Sequence, residues 1–117
     1  MRFAWDEAKN DINRQKHKIS FETAQLVFDD PFHVSRRERI EGSEQRWQTL
    51  GLVHGVVLLL VAHTYNEADG EEIIRIISAR KADKMERRIY AEGHKASIWQ
   101  TVAQADEGAQ SSAGDAG

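Results

Sequence analysis

Two periods divide the chain, with the change near Pro31. Before it, Ala8, Ile12 and Gln15 recur at the spacing of one helix face, and Asp6 is placed to cap a helix running to about Lys16. Ser20 is a second cap, opening FETAQLVF, in which Phe21, Ala24, Leu26 and Phe28 make an apolar stripe. Asp29-Asp30-Pro31 stops that helix, because the residue before proline avoids the α region. From Phe32 the period falls to two. HVSRRERI, EQRWQTLGLV, VVLLLVAHTY and EEIIRIISAR read as four strands, joined at Glu41-Gly42-Ser43, His54-Gly55 and Glu67-Ala68-Asp69-Gly70. Each joint holds the glycine that a tight hairpin favours, so the strands are expected to form an antiparallel meander. Residues 56–62 are apolar throughout, the mark of a central strand covered on both faces.

A last helix is predicted from Ala82 or Asp83, with Ala82, Met85 and Ile89 as its buried stripe and Gly93 as the residue that ends it. The expected fold class is therefore α+β: two N-terminal helices, a four-stranded antiparallel meander sheet and a C-terminal helix. Residues 1–93 form the domain, and residues 94–117 are expected to be a mostly disordered extension.

Composition narrows the setting. A chain of 117 residues with 40% hydrophobic positions suits one small domain with a modest core. It has no cysteine, so neither a disulfide framework nor a thiolate metal site is available. No apolar run approaches the roughly 20 residues of a membrane span, and a cytoplasmic protein is expected. The net charge of −3 resides in residues 103–117, which carry Asp106, Glu107 and Asp115 and no base. The body is neutral overall but uneven: Arg75, Arg80, Lys81, Lys84, Arg87 and Arg88 crowd one stretch, and Arg36, Arg37, Arg39 and Arg46 another. Any nucleic-acid surface must be local.

Turn lengths then predict a register. With His54-Gly55 as a two-residue loop, Val53 faces Val56, Glu44 falls opposite Tyr65, and Arg46 falls opposite His63. The neighbouring hairpins add Arg80 and Ser78 to that face, and Arg37 and Arg39 from the other side, with Arg75 on the reverse. The expected face carries Arg37, Arg39, Glu44, Arg46, His63, Tyr65 and Arg80. One bulge or odd loop would move half of these residues to the other side. Such a set suits phosphodiester cleavage: arginines stabilise charge on phosphorus, and His63, Glu44 or Tyr65 moves protons. Plain cross-strand pairing of Arg46 with His63 and Glu44 is the competing reading. His17, His33, His54, His63 and His94 show no metal-ligand spacing, so neither metal nor cofactor is expected.

The residues also resemble a known family. Trp5, Asp6, Lys9, Asn13, Lys16, His17, Ile19 and Phe21, followed by Phe28-Asp29-Asp30-Pro31, are similar to the start of the BrnT toxins. Glu44-Gln45-Arg46 leading to Leu50-Gly51 matches the middle; Arg75 to Ala82, then Glu86-Arg87-Arg88 and Tyr90, match the end. The resemblance covers residues 3–93. It implies a RelE-like ribonuclease toxin of a type II toxin–antitoxin system, inhibiting growth by cutting RNA. It further implies a neighbour-encoded BrnA-like antitoxin that masks the toxin and carries the operator-DNA contact, a higher-order complex being left open. Glu44, Arg46, His63, Tyr65 and Arg80 are the expected catalytic set, and Arg37, Arg39, Arg75, Lys81, Lys84, Arg87 and Arg88 the expected RNA contacts. Rival readings are a non-catalytic nucleic-acid-binding module and a protein-interaction module.

Overall fold

A computed structural model describes residues 1–103, with side chains described as far as Gly93. The elements are β1 (Arg2–Ala4), α1 (Glu7–His17), α2 (Phe21–Ala24), a 3₁₀ segment (Gln25–Asp29), β2 (Val34–Glu41), β3 (Glu44–Val53), β4 (Val57–Ala68), β5 (Glu71–Lys81) and α3 (Lys84–Ala103). The α+β class holds. The sheet, however, has five strands in the order β1-β5-β4-β3-β2, and β1 lies parallel to β5, pairing Arg2 with Ile73 and Phe3 with Ile74. The four-stranded antiparallel expectation is thus corrected: three residues are too few to show a period, and only the bare edge of β5 calls for them.

Asp6 caps α1 by accepting the Ala8 N–H at 2.8 Å, and Ser20 caps α2 by accepting that of Thr23 at 3.1 Å. The predicted inward stripe of α1 is corrected: Ile12 is 60% exposed, whereas Asn10 and Asn13 are buried. The asparagines face inward because backbone groups there lack partners. Asn13 Nδ2 donates to the carbonyls of Ile19 (2.9 Å) and Ala79 (2.8 Å), and its Oδ1 accepts the Ala79 N–H. One amide side chain thereby continues the β5 edge beyond the end of β1. Asn10 Oδ1 accepts the Phe21 N–H at 2.8 Å. These are buried bonds whose loss strands donors and acceptors in the core.

The main core lies between the sheet and α1, α2 and the 3₁₀ segment, where Ile19, Phe21, Ala24 and Val27 meet Val53, Leu59, Val61, Ile76 and Ala79. Gly51 lets the 3₁₀ segment touch the sheet: a Cβ there would stand 2.6 Å from Val27 Cβ. On the opposite face α3 covers a smaller cluster of Leu50, Leu60 and Ala82, flanked by Val34, Leu58 and Tyr90.

Helix α3 departs from expectation twice. Met85 is 60% exposed and Ile89 40%, and the side chains turned to the sheet are Ala82, Glu86 and Tyr90. Nor does Gly93 end the helix, which continues to Ala103, so the predicted boundary at 93 falls inside it. Gly93 serves close approach instead, since a Cβ would meet Val34 Cγ1 at 3.2 Å. Of the segment expected to be disordered, residues 104–117 lie outside the described residues.

Candidate nucleic-acid interface

The register differs from the predicted one by a single residue, and this reshapes the site. His54 and Gly55 both take positive φ (55° and 69°), and the Val56 N–H closes the turn on Val53 O at 3.0 Å. Pairing nevertheless begins at Val53 with Val57, leaving Val56 out of the ladder and 76% exposed. Trp47 therefore faces His63, and Arg46 faces Thr64. In the next hairpin Asp69-Gly70 is a two-residue turn, as one predicted closure had it, but pairing jumps from His63–Ile76 to Ala62–Ser78, bulging Ile77. A third irregularity between Arg37 and Ile40 sets Arg37 opposite Trp47.

The expected single face is consequently two. On the α1 side stand Arg37, His63 and Tyr65. Arg37 lies over the Trp47 ring at 5.7 Å, Trp47 meets Tyr65 edge-on at 5.1 Å, and Tyr65 meets His63 at 5.0 Å. His63 is fully buried, 5.0 Å from the Phe28 ring, with Nε2 sharing a 2.7 Å hydrogen bond with Thr49 Oγ1. Burial, aided by the nearby His33, pushes its imidazole down to about 4, so it is neutral at pH 7. A buried neutral ring on the reverse of the sheet cannot act together with Arg46, and the predicted partnership of His63 and Tyr65 with the arginines is corrected. The physical reason is two residues left out of the ladders, Val56 and Ile77.

The α3 side collects the rest. One cross-strand row runs Arg46, Thr64, Arg75, and the next runs Arg36, Gln48, Ala62, Ser78. Arg46 is half-buried, its Nε 3.7 Å from Glu41 Oε1 without a hydrogen bond. Thr64 is fully buried beneath its neighbours, with Asn66 Nδ2 donating to its Oγ1 at 3.3 Å. Glu44, two residues before Arg46 on the same face, is exposed and receives a long 3.4 Å contact from Asn66 Nδ2. Arg75 and Ser78 are exposed. Arg36 Nε donates to Gln48 Oε1 at 2.9 Å, holding that edge of the floor. Arg75, expected on the reverse, thus belongs with Arg46.

Arg80 shares this face but is not a loose cation. Its Nη1 and Nη2 each donate at 2.8 Å to the two oxygens of Glu86, which is 8% exposed. Glu86 Oε1 also accepts the Asp83 N–H, and Asp83 Oδ1 accepts the Glu86 N–H, a reciprocal cap at the start of α3. The bonds from Arg80 outweigh burial and hold the Glu86 carboxyl below its usual range, while Glu86 raises Arg80 further. Tyr90 secures the next turn, its hydroxyl donating to Asp30 Oδ2 at 2.6 Å, where the Leu52 N–H also arrives at 2.8 Å. Burial alone would raise Asp30, but the bonds from Tyr90, Leu52 and Phe32 win and lower it; burial and that pairing push Tyr90 up to about 12.

Among the remaining predicted contacts, Arg39 is exposed and held by Glu38 and Glu41, and Lys81 is exposed opposite Leu59. Lys84, Arg87 and Arg88 are exposed on the first turns of α3, with Arg87 Nη1 donating to Ala82 O at 3.1 Å. Arg36, Thr64 and Glu86 were not among the predicted site residues, whereas Ser78 was expected beside Arg80 and remains beside it, on the α3 side. The Asp83-x-x-Glu86 spacing was a legible cap signal for Glu86; Thr64 had none. Among the described residues there is no group of three or more His, Asp or Glu placed to hold a metal, and no helix long and apolar enough to cross a membrane.

A small α+β domain with an arginine-lined patch on one sheet face, roofed at one end by a cationic helix, has the form of a protein that grips a polyanion. Residues 5–86 match the family described as "Ribonuclease toxin, BrnT, of type II toxin-antitoxin system". The chain belongs to this family, and is a ribonuclease toxin of a type II toxin–antitoxin system, a class that goes with an RNA target and an antitoxin partner. Among solved structures it is similar to the Brucella abortus ribonuclease toxin BrnT, with 22% identity and a TM-score of 0.50, covering 72% of this chain and 99% of that one. No curated protein matches the chain.

Proposed function

We propose that RNA is cut on the open end of the α3-side sheet face, without a metal ion. The observation that carries this reading is the row Arg46–Thr64–Arg75, which sets two guanidiniums on either side of one buried threonine. Their strands are two ladder spacings apart, about 9–10 Å, a span that two long side chains can close on a phosphate bound between them once Arg46 swings from Glu41. A phosphate held there meets planar donors from both sides, a geometry suited to the oxygens of a five-coordinate phosphorane.

Glu44 is the carboxylate on the same face and takes the proton of the RNA 2′-hydroxyl. The 2′-oxygen attacks phosphorus, the bond to the 5′-oxygen breaks, and that oxygen takes a proton from solvent water while Glu44 returns its own to solvent. The products are a 2′,3′-cyclic phosphate and a 5′-hydroxyl end. Arg80, fixed by Glu86, contributes field rather than a movable contact, and Lys84, Arg87 and Arg88 guide the backbone along α3. A BrnA-like antitoxin neutralises the toxin by covering this patch and alone touches operator DNA, within a cytoplasmic complex.

The test is cleavage of a defined RNA in excess EDTA by the wild type and by Arg46→Ala and Arg75→Ala, with the product ends identified. Metal-free cleavage to cyclic phosphate, abolished by either substitution, is expected. A strict magnesium requirement with 3′-hydroxyl ends would overturn the chemistry, and full activity of both folded variants would overturn the site.

A further inference from the structure

Helix α3 is turned the wrong way round for an ordinary surface helix. Such a helix lays its large apolar side chains on the core and its charges in water. Here Glu86 and Tyr90 face the sheet, while Met85 and Ile89, one turn apart on the flank, are 60% and 40% exposed. The inward positions are fully used: Glu86 by Arg80 and the Asp83 cap, Tyr90 by Asp30. Rotating the helix to bury Met85 and Ile89 would break the contacts with Arg80 and Asp30. The exposed pair is thus a fixed product of the architecture, held in one orientation before any partner arrives.

The surroundings select the occupant. Lys84 and Arg88 are exposed along one side of the pair, so the apolar positions are flanked by cations. Methionine is an adaptable contact, and arginine is enriched where protein surfaces meet. A polyribonucleotide would use the cations but has no use for the apolar pair. A helix with apolar residues on one face and acidic residues beside them uses both.

We propose that Met85 and Ile89 seat an acidic amphipathic helix of the antitoxin, with Lys84 and Arg88 setting its register. This rests on the antitoxin reading above and goes beyond it by placing the anchor outside the phosphate patch. The bound helix lies along the roof of that patch, so it holds the antitoxin in place while the rest of that partner covers Arg46 and Arg75.

The experiment compares the wild type with Met85→Asp/Ile89→Asp and Met85→Leu/Ile89→Leu, measuring cleavage of a defined RNA and affinity for the antitoxin encoded beside the toxin. The aspartate pair is expected to cleave RNA within about twofold of wild type while losing antitoxin affinity by roughly 30–100-fold, the scale of an interface hot spot. The leucine pair is expected to bind as the wild type does. Antitoxin affinity unchanged in the folded aspartate variant would overturn the proposal, as would loss of RNA binding with antitoxin affinity kept. Should the aspartate variant not fold, amide exchange in the wild-type complex decides: slowed exchange over residues 84–92 supports the seat, and unchanged exchange there removes it. Failure of the wild type to bind antitoxin at all would instead strike the antitoxin reading itself.

Discussion

Against the α1 side of the sheet the chain lays Phe21, Ala24 and Val27 on Leu59, Val61 and Ile76, each no more than 1% exposed. Against the α3 side it lays Glu86 and Tyr90, joined to Arg80 and Asp30 by hydrogen bonds. Non-directional packing fastens the first layer, and directional, charge-assisted contacts fasten the second. The first is broad and holds the fold; the second covers the Leu50–Leu60 end and leaves Arg75 and Ser78 exposed and Arg46 half-buried. A ribonuclease needs both, since a packed face gives rigidity and an open one gives access.

The largest expected effect falls on the packed side. Asn13→Ala strands the Ala79 N–H and the Ala79 and Ile19 carbonyls, and should cost about 3–5 kcal/mol, read as a fall in the urea midpoint at unchanged slope. On the open side, Arg46→Ala and Arg75→Ala should each lower the cleavage rate by about 10²–10³ while leaving that midpoint nearly in place. Arg80→Ala is a poorer probe than its position suggested, because it also leaves buried Glu86 without its partner.

Acid should act through the packed face first. His63 titrates at about 4 when folded against 6.5 as a free imidazole, so the unfolded chain takes up its proton at higher pH. Stability from this group is fully present above pH 6.5, falls between 6.5 and about 4, and is gone below, a loss of about 3 kcal/mol. Asp30, lowered in the folded state, adds its loss only as pH falls below its ordinary range, so the windows separate. His63→Gln should flatten the upper window in a pH series of unfolding curves. Gly51→Ala, driving a methyl into Val27, should cost about 1–3 kcal/mol. Smallest is Arg37→Ala, which removes a contact with Trp47 worth about 0.5–1 kcal/mol and should slow cleavage far less than Arg75→Ala.

Much of this architecture is legible in the amino-acid sequence. Caps at Asp6 and Ser20, the stop at Pro31, the four long strands and a helix after Lys81 all leave a local signature. Parity does not. Val56 and Ile77 look like ordinary strand residues, and nothing in their type shows that the ladder passes them by. Val56 decides whether Arg46 shares a face with His63 or with Arg75, and Ile77 decides on which side Ser78 and Arg80 fall. The inward asparagines of α1 and the inward Glu86 of α3 are hidden for another reason: a hydrophobic pattern assumes that helices bury apolar residues, and here the partners are backbone groups and an arginine on the neighbouring strand.

The Asn13 amide also bears on how the chain reaches its native state. It joins Ala79, 66 positions away, and β1 joins the same strand, so the first residues dock against the last strand of the sheet. Loop closure of that length must precede the reward, which makes docking of the N-terminal segment a late step. The hairpins can assemble as each strand emerges during synthesis, but β1 and α1 wait for β5. A chain that closes on itself in this order completes its rigid face only once residues up to about 79 are free to fold.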